Sequence, residues 1–160
     1  TIAIEAALIA RNIAPGLTRH FRLESLPFFD ASLFQNVQAE ANKKSYPSGQ
    51  YRIYANDIDP TVLEKAKNNA IRAGVAEDIT FWVDDFLEAS DISGTLVTNP
   101  PYGERLKQDN LHEIYTKIVH TVTKNGGGFI TSYPVDVRHA LSNKKLLNGW
   151  EECRFWYKKS

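Results

Sequence analysis

The spacing of apolar and polar residues changes period several times along the chain. From Thr1 to Asn12 alanine, isoleucine and leucine crowd together and predict a buried helix. Glu5 near its start and Arg11 near its end suit the helix dipole, and Pro15-Gly16 is a stop signal. Asp30 is a candidate N-cap flanked by Phe29 and Phe34 at the two staple positions, and Leu33, Phe34, Val37 and Ala41 recur at helical spacing to about Lys44. Pro47-Ser48-Gly49 predicts a turn. Tyr51 to Asn56 is a short β-prone run, followed by Asp57-Ile58-Asp59-Pro60 and a helix from about Thr61 to Ala73. Asp59 as N-cap, Pro60 at the first helical position and Gly74 past the end bound that helix consistently.

Ile79 to Val83 predicts a second strand, and Thr95 to Thr98 a third that runs into Asn99-Pro100-Pro101-Tyr102. Leu111, Ile114, Tyr115, Ile118, Val119 and Val122 mark a strongly amphipathic helix, which Gly126-Gly127-Gly128 is expected to close. Phe129 to Tyr133 reads as a fourth strand, Val135 to Leu141 as a short helix, and Asn148-Gly149 as the turn of a terminal hairpin. Alternating strands and helices with a closing hairpin predict an α/β fold: a doubly wound, mostly parallel sheet with a C-terminal antiparallel pair. Such a sheet begins with a strand and a glycine-bearing turn, whereas this chain opens on a helix at Thr1 and contains no methionine. The expectation is one N-terminally truncated domain over residues 1–160, its first strand and glycine loop missing.

Composition narrows the function classes. The 160 residues, 42% hydrophobic and 24% charged, are ordinary for a globular domain and exclude a disordered tail or a collagen-like repeat. No apolar run is long enough to span a bilayer. Nineteen basic residues balance nineteen acidic ones, so any bulk affinity for phosphate must come from a local patch or another domain. One cysteine, Cys153, permits no internal disulfide and fits a reducing, cytoplasmic compartment; placed in an apolar strand, it reads as a core residue. His20, His112, His120 and His139 lack metal-ligand spacing, and no metal site is expected.

The candidate chemistry lies just past the predicted strands, where open α/β sheets bind ligands. A carboxylate at Asp57 can accept both hydroxyls of a ribose, and Ile58 offers an apolar face to an adenine; the competing reading has Asp57 and Asp59 simply capping the next helix. Past the second strand, one carboxylate of Asp84-Asp85 can accept from an adenine amine while Phe86 packs on the ring; a polar turn with a core phenylalanine is the bland alternative. Asn99-Pro100-Pro101-Tyr102 suits attack by an exocyclic amine. The lone pair of such an amine is delocalised into its ring, and two acceptors aimed at its hydrogens favour a pyramidal, nucleophilic nitrogen. The Asn99 amide oxygen and the Pro100 carbonyl are those acceptors, proline holds the carbonyl direction, and Tyr102 can stack on an extruded base. A proline-stiffened loop with a packed tyrosine is again the plainer reading.

On Thr1-Ile-Ala-Ile-Glu-Ala-Ala, Ile13-Ala14-Pro15-Gly16, Asp57-Ile-Asp-Pro, the Asn99–Leu106 string and the Asn148-Gly149 hairpin, nearly the whole chain resembles a family of Rossmann-like methyltransferase domains. These are the S-adenosylmethionine-dependent RNA methyltransferases that carry a separate THUMP RNA-binding domain, in particular the bacterial 23S rRNA guanine-N2 group. The resemblance implies S-adenosylmethionine as cofactor, ribosomal RNA as substrate and a THUMP domain as partner in the parent chain. It implies that Asp57 takes the ribose hydroxyls, Ile58 lies against adenine, and Asp85 beside Phe86 takes the adenine amine. Asn99, Pro100 and Tyr102 would hold the target base. Family members carry a glycine-rich loop just ahead of the segment that starts here, so weak cofactor binding by the chain alone is also implied. Two rivals share parts of this reading: an amino methyltransferase of DNA adenine or cytosine or of protein glutamine, and a non-catalytic RNA-binding or scaffold module.

Overall fold

The computed structural model describes residues 1–49, 51–89, 92–102, 110–135, 137, 139–148 and 150–159. It divides into two compact units, Thr1–Val83 and Asp84–Ser160.

The first unit holds α1 (Ile2–Ala10), α2 (Ala31–Lys43), β1 (Ile53–Asp57), α3 (Pro60–Arg72) and β2 (Ile79–Val83). The boundaries of α2 and α3 follow their caps. Asp30 accepts from the amides of Ser32 and Leu33, and the Phe29 and Phe34 rings meet 5.4 Å apart, as a hydrophobic staple does. Asp59 accepts from the Thr61 amide, Pro60 opens α3, and Gly74 follows its end at φ +71°. β1 and β2 pair in parallel from Ile53↔Ile79 to Asp57↔Val83. Their inward residues Ile53, Ala55, Ile79 and Phe81 join Ala7 of α1 and Ala70 of α3 in one apolar cluster with Val75. β1 starts two residues later than the β-prone run suggests.

α1 departs from its expected burial. Ala7 is its one fully buried residue, and Ile9 is 77% exposed. A helix apolar on every side can turn only one face to a two-stranded sheet. Arg11 serves less as a dipole partner than as a clasp: its guanidinium donates to the carbonyls of Tyr46 and Gly74 and meets Asp78 at 3.5 Å. Asp78 in turn accepts from the Gly49 amide.

The second unit holds β3 (Leu96–Thr98), α4 (Leu111–Asn125), β4 (Gly127–Thr131), β5 (Ser142–Asn148) and β6 (Glu151–Tyr157), with strand order β3-β4-β6-β5. β3 and β4 are parallel; β4, β6 and β5 are antiparallel neighbours. The apolar stripe of α4 (Leu111, Tyr115, Ile118 and Val122) packs with Phe129, Leu141 and Trp156, and Cys153 is fully buried nearby in sequence on β6.

Three expectations are corrected here. Of the glycine triplet, only Gly126 ends the helix; Gly127 and Gly128 belong to β4, which therefore spans Gly127–Thr131 and not Phe129–Tyr133. Close approach explains the glycines, since a Cβ on Gly127 would stand 1.9 Å from the Leu96 carbonyl oxygen. Val135–Leu141 forms no helix among its described residues; a single turn closes it, with the Ala140 and Leu141 amides donating to the Val137 carbonyl. Asp136 and Arg138 lie outside the described residues. The hairpin forms as expected, but Asn148 belongs to β5 and pairs with Glu151 of β6; Gly149 lies outside the described residues.

Candidate functional site

In the first unit the site is the carboxyl end of β1. Asp57 is the last residue of that strand, half-buried, and paired in register with Val83. The strand thus runs one residue further than its β-prone run suggests, and Asp57 closes it instead of following it; Asp57 and Asp59 divide the work. Asp59 accepts from both the amide and the hydroxyl of Thr61, and those bonds lower its carboxyl pKa. Asp57 lies outside the cap; its Oδ1 takes the Asp59 amide at 3.0 Å, which points the carboxylate off the strand end and leaves lone pairs on both oxygens for a diol. Ile58 is 64% exposed and presents an apolar surface beside it. A hollow of about 470 Å³ sits at the opposite, amino end of β1 and β2, lined by Arg11, Ser48, Arg52 and Thr80 among others, and includes none of the candidate residues.

In the second unit two short loops hang on α4. The first runs from Asp84 to Ala89. The Asp85 carboxylate accepts from the Leu87 amide at 2.9 Å, while its main-chain oxygen accepts from the amides of Glu88 and Ala89. The Lys117 ammonium donates to the carbonyls of Leu87 and Ala89, at 2.6 Å each, and lies 5.3 Å from the centroid of the Phe86 ring. Phe86 is half-buried against the apolar cluster of α4. It is thus a packed phenylalanine whose ring is also held beneath a cation.

The second loop leaves β3. Asn99 is exposed, Pro100 buried, Pro101 exposed and Tyr102 half-buried. The Tyr115 hydroxyl donates to the Pro101 carbonyl at 3.3 Å and lies 2.5 Å from the Thr131 hydroxyl, which accepts from the Tyr133 amide at 2.9 Å. The Tyr115 ring stacks on Tyr133, centroids 4.6 Å apart. Burial pushes the Tyr115 phenol pKa up; its bond to Thr131 works the other way, and the neighbouring Tyr102, Tyr133 and Cys153 add to the rise. The continuation of the Asn99–Leu106 string from Gly103, with the basic Arg105 and Lys107, lies outside the described residues.

Asp85, Phe86, Asn99, Pro100 and Tyr102 therefore all belong to loops of the second unit, while Asp57 and Ile58 belong to the first. Sequence reasoning passed over Lys117, Tyr115 and Thr131. Tyr115 carried a faint signal, a hydroxyl on the apolar stripe of a helix where phenylalanine would pack as well. Lys117 carried none, since a helical lysine is ordinarily solvated.

Parallel strands joined through helices, with an acid closing one strand and an Asn-Pro-Pro-Tyr loop past another, define a Rossmann-like α/β domain of the methyltransferase class. The chain belongs to the UPF0020 family, the RMKL-like methyltransferase domain, whose model matches residues 1–148. It is 36% identical over 170 residues to the ribosomal RNA large subunit methyltransferase K/L of Shewanella sp. strain W3-18-1, covering 97% of this chain and 24% of that protein. Among solved structures it resembles SMU.472, described as "a putative methyltransferase complexed with SAH", with a TM-score of 0.82 and 29% identity over 98% of this chain and 44% of that one. It also resembles a predicted N6-adenine-specific DNA methylase from Listeria monocytogenes, with a TM-score of 0.79 and 30% identity over 99% of this chain and 43% of that one. The chain thus spans 24% to 44% of the length of these relatives.

Proposed function

We propose that the chain is the catalytic domain of an S-adenosylmethionine-dependent RNA methyltransferase acting on the exocyclic N2 amine of a guanine, in large-subunit ribosomal RNA. One observation carries the reading: β3 delivers an exposed asparagine amide, a buried proline and a half-buried tyrosine in succession at its carboxyl end. The Asn99 oxygen and the Pro100 carbonyl accept from the two amine hydrogens, drawing the nitrogen toward pyramidal geometry. Tyr102 stacks on the base and holds it edge-on. S-adenosylmethionine supplies the electrophilic methyl group on a sulfonium. In the first unit, Asp57 accepts ribose hydroxyls and Ile58 lies against adenine. In the second, Asp85 beside Phe86 accepts the adenine amine. Attack is in line at about 3 Å approach, with no covalent enzyme intermediate, so the protein contributes mainly positioning. The methylated nitrogen then loses its extra proton to water. A THUMP domain in the full-length protein belongs to the same proposal, because the balanced charge of this chain supplies little general affinity for phosphate.

The test is labelled methyl transfer by the full-length protein to ribosomal RNA, DNA and a release factor, followed by nucleoside analysis. Label in N2-methylguanosine is expected. The name of the Listeria relative favours a second reading, transfer to a DNA adenine amine; label in DNA and none in RNA would establish that one instead. Asn99→Ala should lower turnover at least about tenfold without unfolding the protein.

A further inference from the structure

Pro100 and Pro101 leave the target-base loop without a backbone N–H at two consecutive positions, so that stretch of main chain can be tethered only through its carbonyls. The second unit supplies such a tether from inside its core. Tyr115, a member of the apolar cluster, and Thr131 are 3% and 1% exposed, and a hydroxyl so buried is costly unless bonded. Their hydrogens can be assigned by counting. The Pro101 carbonyl can only accept, so Tyr115 gives it its single proton. Thr131 must then donate to the Tyr115 oxygen across the 2.5 Å contact, and its own oxygen accepts from the Tyr133 amide. The result is a one-way chain, Tyr133 N–H to Thr131 to Tyr115 to the Pro101 carbonyl, in which every hydroxyl is used once as donor and once as acceptor. It begins on the backbone just past β4 and ends on the loop that leaves β3.

We propose that Tyr115 and Thr131 are positioning residues for methyl transfer: the chain fixes the Pro101 peptide and thereby aims the Asn99 oxygen and the Pro100 carbonyl at the target amine. The inference rests on the function proposed above and assigns the residues that hold its acceptors in place. Neither hydroxyl touches the base. The raised phenol pKa of Tyr115 agrees with a group kept as a neutral donor.

The test is steady-state methyl transfer to RNA by the full-length protein carrying Tyr115→Phe, Thr131→Val, both together, or the conservative Thr131→Ser, with calorimetry of S-adenosylhomocysteine binding as a folding control. Tyr115→Phe and Thr131→Val are each expected to lower kcat about tenfold, with KM for S-adenosylmethionine and the S-adenosylhomocysteine affinity within about twofold of the parent. The double variant should fall no further than the worse single one, because either change breaks the same chain. Thr131→Ser should keep nearly full kcat. The proposal is overturned if Tyr115→Phe retains kcat within about twofold while Asn99→Ala loses it, or if the two losses multiply. Should Tyr115→Phe fail to fold, the contrast between Thr131→Val and Thr131→Ser carries the same decision. Retained turnover in Asn99→Ala strikes instead at the role of the loop itself.

Discussion

Gly127→Ala should be among the most damaging single substitutions in the chain, and the structure says by how much. Gly127 opens β4 with φ +110°, directly opposite Leu96 of β3. A Cβ there would stand 1.9 Å from the Leu96 carbonyl oxygen, 2.7 Å from its carbon and 2.9 Å from its amide nitrogen. Ordinary carbon–oxygen contacts lie near 3.3 Å or beyond, so the strands must part by more than an ångström, on the order of 1.4 Å. All three atoms are backbone, and no rotamer change can relieve them. Left-handed strain costs about 1–2 kcal/mol. Losing the ladder bonds of a strand of three residues adds about 1 kcal/mol for each bond broken. Together with disturbed Leu96 packing, the total is about 4 kcal/mol, in the range reserved for severe core lesions.

Gly74→Ala is the control: its φ is +71°, but nothing lies within 4 Å of its Cβ, so strain alone applies. Urea unfolding followed by tryptophan fluorescence should place Gly127→Ala roughly 1–2 M below Gly74→Ala in midpoint. Because β3 delivers Asn99, methyl transfer should fall even in conditions where the variant stays folded. Equal midpoints for the two variants would refute the close-approach argument.

Lys117→Met keeps the aliphatic stem and removes the ammonium. It should weaken S-adenosylhomocysteine binding about tenfold by calorimetry, because the Leu87 and Ala89 carbonyls lose charge-assisted donors, each worth about 1.5–3 kcal/mol before solvent screening. Asp57→Ala should weaken the same binding at least about tenfold while Asp59→Ala acts mainly on thermal stability, since only Asp59 caps α3. The raised pKa of Tyr115 has a definite sign. Above about pH 10 the unfolded phenol ionises while the folded one keeps its proton, so the unfolded state gains and stability falls as pH rises. Between pH 9 and 11 the parent should therefore lose more denaturant resistance than Tyr115→Phe, measured as the difference in urea midpoints.

Much of the fold was legible because its signals act within a few residues. Asp30 and Asp59 cap helices through amides two and three positions on; Phe29 and Phe34 meet across one turn; the α4 stripe repeats at helical spacing; and β2 ran from Ile79 to Val83 as its apolar run implied. Family membership followed from such strings. The misjudged parts depended on distant partners. Gly127 and Gly128 read as a helix stop until the Leu96 carbonyl and the Trp156 carbonyl are seen crowding them. Arg11 read as a dipole charge, yet its partners are Tyr46, Gly74 and Asp78.

The candidate site divides the same way. Asp57, Asp85 and the Asn99–Tyr102 loop announced themselves by lying at or just past the ends of apolar runs, a position that local pattern reveals, although Asp57 closes β1 instead of following it. Lys117, Tyr115 and Thr131 did not, because their importance lies in carbonyls and hydroxyls that sequence separation hides and packing brings to hydrogen-bond distance. Residue chemistry along the chain determined, to within a residue or two, where β1, β2 and β3 end and which side chains wait there. Tertiary packing alone decided which core hydroxyl and which helical ammonium reach back to hold those ends, since a buried donor takes whichever acceptor the folded core places beside it.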